Sequence, residues 1–127
     1  MRLNHVTLPA HDLAQSIAFY QALGLELIVR EDPRYARFAV DATSTLSVEV
    51  SEDNRAGTAE ILLHCDDVDA DVAAAEARGV MFDTPPTDQS YLWRTATVRD
   101  PAGNRIVLFH AGKMQHFPPW RLDGRKG

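Results

Sequence analysis

Imidazole, carboxylate and aromatic side chains recur in this sequence at spacings that put them on one side of extended segments. Successive side chains of a strand point to opposite faces, so residues two apart share a face. His5 and Thr7 alternate with Val6 and Leu8. Thr45, Ser47 and Glu49 alternate with Leu46, Val48 and Val50, and Glu60, Leu62 and His64 alternate with Ile61 and Leu63. An imidazole titrates near neutral pH and ligates metals, and a carboxylate moves protons or neutralises a cation. Two carboxylates facing each other across a partly dry concavity cost several kcal/mol unless a cation sits between them or one is protonated.

His64 lies four residues along the same face from Glu60. It reads either as a base or replacement ligand, or as a hydrogen-bonded interior histidine. On the last expected strand Val107 and Phe109 share that face and make its side apolar, whereas His110 falls on the opposite side. Tyr91, Trp93 and Arg94 follow a proline-rich loop, where they stack on or clamp an anionic substrate or else pack a strand beside a solvated guanidinium. Arg37 is a further candidate of the same kind.

These residues are positioned by an internal repeat. The segments LNHVTLPAHDLAQSIAFYQALGLEL and AEILLHCDDVDADVAAAEARGVMF share one layout, with His5 falling on Glu60, Val6 on Ile61, Leu8 on Leu63, Leu13 on Val68, Ile17 on Val72 and Gly24 on Gly79. Self-similarity at a fixed offset marks a duplicated supersecondary unit. Each half opens with an alternating strand and continues into a helix. Asp12 and Asp67 are the expected N-caps, Leu13, Ile17 and Tyr20 or Val68, Val72 and Ala75 form the apolar stripe, and Gly24 or Gly79 ends the helix. Short strands are expected near 25–30, 35–40 and 45–50, then near 80–82, 92–98 and 105–110. Breakers at Asp32-Pro33, Pro85-Pro86 and Asp100-Pro101-Ala102-Gly103-Asn104 separate them. Each half is thus βαβββ.

The expected organisation is one domain over 1–112, with module one at 1–50, a polar linker at 51–58 and module two at 59–112. A tail follows over 113–127, and its Pro118-Pro119-Trp120 stretch is either a loose end or a stiff aromatic arm.

Composition narrows the partners. With 127 residues, 45% of them hydrophobic and 24% charged, the chain buries about two-thirds of its unfolded surface as one unit. Its apolar runs are too short for a membrane span or signal peptide. The single cysteine, Cys65, reads as a buried thiol and excludes an intrachain disulfide. The expected location is cytoplasmic. A net charge of -5 argues against nucleic acid, which is bound through cationic surfaces, and favours a small ligand.

The combination NHVTL, DLAQSIAFYQALGL and DPAGNRI at this repeat spacing resembles the vicinal oxygen chelate superfamily of glyoxalases, bleomycin resistance proteins and dioxygenases. The resemblance implies an α+β fold in which two βαβββ modules form a curved, cup-shaped mixed sheet with helices on the outer face. It also implies four metal-ligand positions, which fall here on His5, Glu49, Glu60 and Val107. His5, Glu49 and Glu60 would then hold a divalent Mn, Fe, Ni, Zn or Mg ion, with Glu49 or Glu60 moving a proton and His64, Trp93, Arg94, Tyr91, Arg37 and Phe109 contacting substrate. Glu60 and Val107 depart from the His and Glu usual at those places.

Two functions follow. One is a metal-dependent lyase or isomerase for a small oxygen-chelating substrate, ranked above a dioxygenase. The other is a metal-free sequestration protein similar to the bleomycin resistance proteins. The resemblance implies a homodimer for both.

Overall fold

The computed structural model of the protein describes residues 1–52 and 57–122. Module one comprises β1 (His5–Ala10), α1 (Leu13–Leu23), β2 (Glu26–Glu31), β3 (Tyr35–Ala39) and β4 (Thr45–Val50). Module two comprises β5 (Glu60–His64), α2 (Val68–Ala77), β6 (Thr84–Asp88), β7 (Arg94–Arg99) and β8 (Arg105–His110). In each module the first strand pairs in parallel with the fourth, and the other pairings are antiparallel, giving the orders β1-β4-β3-β2 and β5-β8-β7-β6. The fold is α+β: two mixed four-stranded sheets, open rather than closed, matching the two-module cup.

Local chemistry sets the elements. Asp12 caps α1 by accepting the Gln15 N–H at 3.0 Å, and Asp67 caps α2 by accepting that of Ala70 at 3.0 Å. Each helix then places its stripe, Leu13, Ile17, Tyr20 and Leu23 or Val68, Val72 and Ala75, against the sheets. Gly24 closes α1 at φ 121°, a left-handed backbone that costs a residue without Cβ little. The chain then turns back, with the Leu25 N–H bonded to the Tyr20 carbonyl at 3.0 Å.

The inward residues of both modules join one core, which includes Leu8, Phe38, Leu46 and Val48 from the first and Val98, Ile106 and Leu108 from the second. A polar knot also ties the modules together. Asp100, 5% exposed, accepts the Tyr20 hydroxyl at 2.6 Å, the Asn104 amide side chain at 3.0 Å, and the backbone N–H groups of Ala102 at 3.0 Å and Asn104 at 2.8 Å. Asn104 in turn donates to the Pro9 carbonyl at 2.9 Å and accepts from the Gly57 N–H at 3.1 Å. The Asp-Pro-Ala-Gly-Asn turn of module two is thereby fastened to α1 and β1.

The sixth strand departs from expectation. It lies at Thr84–Asp88 rather than near 80–82, so Pro85 and Pro86 are inside a strand. They are accommodated because β6 is the sheet edge and its pairing with β7 slips between Thr84 and Thr87, where their missing N–H groups break no ladder. Of the expected linker, 53–56 lie outside the described residues, as do 123–127 of the tail. The described tail forms a short 3-10 turn, Gly112–Met114, and then packs the Arg121 guanidinium over Phe117 at 4.4 Å. Trp120 remains 56% exposed. Among the described residues no helix is long and apolar enough to cross a membrane.

Candidate functional site

Each sheet turns one face to the core and the other, its cup face, outward. On module one the cup face carries a connected set of polar groups. Arg37 Nε donates to the Tyr35 hydroxyl oxygen at 2.9 Å, the Tyr35 hydroxyl meets Ser47 Oγ at 2.6 Å, and Ser47 Oγ lies 3.4 Å from His5 Nε2. Thr7 Oγ1 is 3.3 Å from the same nitrogen, and His5 Nδ1 is bonded to Thr45 Oγ1. A guanidinium only donates, so the set is satisfied with hydrogens running from Arg37 through Tyr35 and Ser47 to Nε2, and with the Nδ1 hydrogen on Thr45. Both ring nitrogens of His5 are therefore engaged with hydroxyls.

Module two carries a different surface, a cleft of about 310 Å³. Trp93 forms one wall, stacked on Phe109 with ring centroids 4.7 Å apart and planes 22° apart, and Tyr91 meets Trp93 edge-on at 5.7 Å. Phe109, Val107 and Ala111 are buried beneath Trp93. Thr84, Thr87, Gln89, Thr95 and Thr97 supply hydrogen-bonding groups, with Gln89 Nε2 donating to Thr95 Oγ1 at 2.9 Å. Glu60 and Arg105 close one end, 3.7 Å apart and each half exposed. Screening leaves such a pair worth under about 1 kcal/mol, so it can open toward a ligand.

The expected metal ligands are not brought together. In the β1–β4 register His5 faces Thr45, whereas Glu49 faces Pro9 four residues further along, roughly 13 Å at the rise of a strand. The carry-over to Glu49 is also corrected by register. Val107 pairs with Leu62, and its counterpart in module one, the partner of Thr7, is Ser47 rather than Glu49. Glu49 instead lines a recess with Glu31, Asp32, Arg34 and Tyr35. Glu60 faces Arg105, and His64, not Glu60, shares a groove of about 220 Å³ with His5 at the seam between modules. Among the described residues no three His, Cys, Asp or Glu side chains are grouped to hold a metal. With its imidazole occupied, its carboxylates dispersed and an apolar Val107, this donor set does not fit a divalent ion.

Of the expected substrate contacts, Trp93 and Tyr91 line the module-two cleft, with Phe109 beneath Trp93. Arg37 lies on the other cup face. His64 is exposed, edge-on to Phe109 at 5.3 Å and 5.1 Å from the ring of His110. Arg94 does not reach the cleft. Alternation along β7 gives Thr95 and Thr97 to the cup and turns Arg94 to the helix side, where Asp69 of α2 holds it at 2.9 Å and Asp88 at 3.0 Å. Tyr35, Arg105 and the cleft threonines were not singled out in the sequence, and Ser47 was read only as part of the polar face of its strand. The Tyr35-Ala36-Arg37 alternation is the signal that points to the first.

Cys65 is buried just beyond β5. Burial first, then a hydrogen bond to Asp71 and that residue's charge, push its thiol up to about 12. At pH 8 only about one thiol in ten thousand is then ionised, and the thiolate is the reactive form. A chromogenic disulfide reagent at pH 8 should modify the native protein at least about a hundredfold more slowly than the urea-unfolded chain. Comparable rates would mean the thiol is neither shielded nor raised.

Duplicated βαβββ modules and open sheets define a two-module cup protein. The chain belongs to the Glyoxalase/Bleomycin resistance protein/Dioxygenase superfamily, whose family description matches residues 2–108. No curated protein matches it. Among solved structures it is similar to a glyoxalase/bleomycin resistance protein from Catenulispora acidiphila, at 24% identity and TM-score 0.74 over 86% of this chain and 98% of that one. It is also similar to a lactoylglutathione lyase from Agrobacterium tumefaciens, at 22% identity and TM-score 0.74, covering 91% and 97%. A bleomycin-binding protein complexed with bleomycin aligns at 21% identity and TM-score 0.69, covering 87% and 98%.

Proposed function

We propose that the protein binds a small molecule with an aromatic or cationic part in the module-two cleft, without a metal ion, and acts by sequestration rather than as a metal-dependent lyase or isomerase. The observation that carries this reading is the Trp93–Phe109 stack over Val107, which puts an aromatic wall and an apolar floor where a metal enzyme needs a carboxylate. Flanking threonines and Gln89 offer hydrogen bonds to a ligand's rim, Glu60 offers a negative end, and the net charge of -5 attracts cations. The bleomycin-binding neighbour fits this class of function, although at its identity it speaks for the fold alone. A homodimeric, cytoplasmic protein is part of the same proposal, with exposed Leu62 and Leu92 as apolar surface for a second copy.

The test is ligand binding with and without metal. Chelator-treated protein is titrated with aromatic and cationic compounds by tryptophan fluorescence and calorimetry, then retitrated after loading with Mn, Fe, Ni, Zn or Mg. Equal affinities in both states are expected. If binding requires a near-stoichiometric ion that is lost in His5→Ala, Glu49→Ala and Glu60→Ala, the lyase or isomerase reading replaces this one.

A further inference from the structure

We propose that Arg37 anchors a second binding site, on the cup face of module one, for a small monocarboxylate. The site is separate from the aromatic cleft and does not depend on what that cleft binds.

Arg37 is held by one edge only. Its Nε donates to the Tyr35 hydroxyl at 2.9 Å, and its guanidinium carbon lies 5.5 Å from the centre of the Tyr35 ring. The phenol is in turn fixed by Ser47 at 2.6 Å, and Ser47 is fully buried, so the anchor rests on the sheet itself. This orients the guanidinium while leaving its two terminal amino groups without a partner among the described residues. The residues that face it across the ladder are neutral. Across the ladder Arg37 faces Ser47 on one side and Val29 on the other, and Ser47 faces Thr7 beyond.

Acids outnumber bases in this chain by 18 to 13, and three other arginines find a carboxylate, while Arg78, Arg99 and Arg121 donate to backbone carbonyls. Arg30 is paired with Asp32, Arg94 with Asp69 and Asp88, and Arg105 with Glu60. No carboxylate among the described residues pairs with Arg37. Glu49, on the same face, is in register with Tyr35 and makes no ion pair with Arg37. A partly desolvated cation without a counterion is unfavourable until an anion reaches it, and the pre-set edge lowers the ordering cost of that step.

The chemistry also selects among anions. The planar fork of a guanidinium matches the two oxygens of a carboxylate in a bidentate pair. A single cation surrounded by neutral hydroxyls balances a monoanion and leaves a phosphate dianion half compensated.

The experiment follows the Arg37 Nε–H resonance of the ¹⁵N-labelled protein while sodium acetate and sodium benzoate are added, with sodium chloride as the ionic-strength control and inorganic phosphate as the competing class. A saturable shift is expected with both carboxylates and not with chloride, with a Kd on the order of millimolar for such small anions. By calorimetry with benzoate, Arg37→Gln should weaken binding at least about tenfold. Arg37→Lys, which keeps the charge and loses the fork, should weaken it several-fold at an unchanged melting temperature, and Tyr35→Phe, which loses the anchor, should weaken it several-fold with a small loss of stability because buried Ser47 then lacks its phenol partner. A non-saturating response equal to that of chloride would overturn the proposal, as would unaltered affinity in Arg37→Lys and Arg37→Gln. Tighter binding of phosphate than of either carboxylate would overturn the ligand class.

Discussion

Asp100→Ala is expected to destabilise the protein by about 3–5 kcal/mol, more than any other single polar substitution among the described residues. The carboxylate is buried and accepts four hydrogen bonds, two of them from the side chains of Tyr20 and Asn104. Alanine removes every acceptor at once and leaves the donors in a region closed to water. Each orphaned donor costs about 1–3 kcal/mol, reduced where the turn relaxes toward solvent. Tyr20 cannot relax, being fully buried in the joint core, edge-on to Phe19 at 5.0 Å. Burial first, and then the charge and hydrogen bond of Asp100, raise its phenol well above its ordinary value, so it stays a donor at every pH at which the protein folds.

For a chain of this size the loss corresponds to a fall in melting temperature of roughly 10–20 °C, measured by circular dichroism. Tyr20→Phe, which removes one donor and keeps the ring, should cost only about 1–2 kcal/mol. A fall of less than about 3 °C for Asp100→Ala would mean that the knot between modules contributes little and that the apolar core alone joins them.

The second large effect is on binding. Trp93→Ala should weaken the ligand of the module-two cleft by about ten- to a hundredfold, because an indole at the centre of a cleft supplies about 1.5–3 kcal/mol through its area and its stacking. Trp93→Phe should retain most of the affinity. The cost in stability is expected to be smaller than for Asp100→Ala, since Trp93 packs on the satellite group of Val107, Phe109 and Ala111 rather than in the main core. Fluorescence titration in a Trp120→Phe background isolates the Trp93 signal. Calorimetry supplies the affinity of Trp93→Ala, and an unchanged value would place the ligand elsewhere and remove the main support for the binding reading.

Much of the fold could be read from residue spacing because its signals are local. Asp12 and Asp67 cap their helices through the N–H three residues on, Gly24 takes the left-handed turn, and the alternating stretch Thr45–Val50 and the apolar run Arg105–His110 are strands with those bounds. The same alternation identified the polar face of module one and put Phe109 and Val107 on the cup side of β8. It could not distinguish Ser47 from Glu49, since both satisfy a period of two. The same period places Arg94 opposite Trp93 and Thr95, and the tertiary structure adds the acids from different elements, Asp69 and Asp88, that hold it on the helix side. The prolines of β6 were misleading for a related reason. A proline excludes a central strand but not an edge, and which strand is the edge depends on chain order in the whole sheet.

The sequence by itself therefore determined the duplicated module, its caps and turns, the family, and which side of each strand is polar. These depend on interactions within a few residues or on a repeat visible along the chain. Tertiary structure alone decided where along those faces the functional groups meet. Cross-strand register set His5 among hydroxyls and Glu49 roughly 13 Å away. Packing of β7 on β8 set Trp93 over Phe109, and the Tyr35–Ser47 contact aimed Arg37. Register comes from hydrogen bonds between segments distant in the chain, and a one-dimensional period carries no information about that third coordinate.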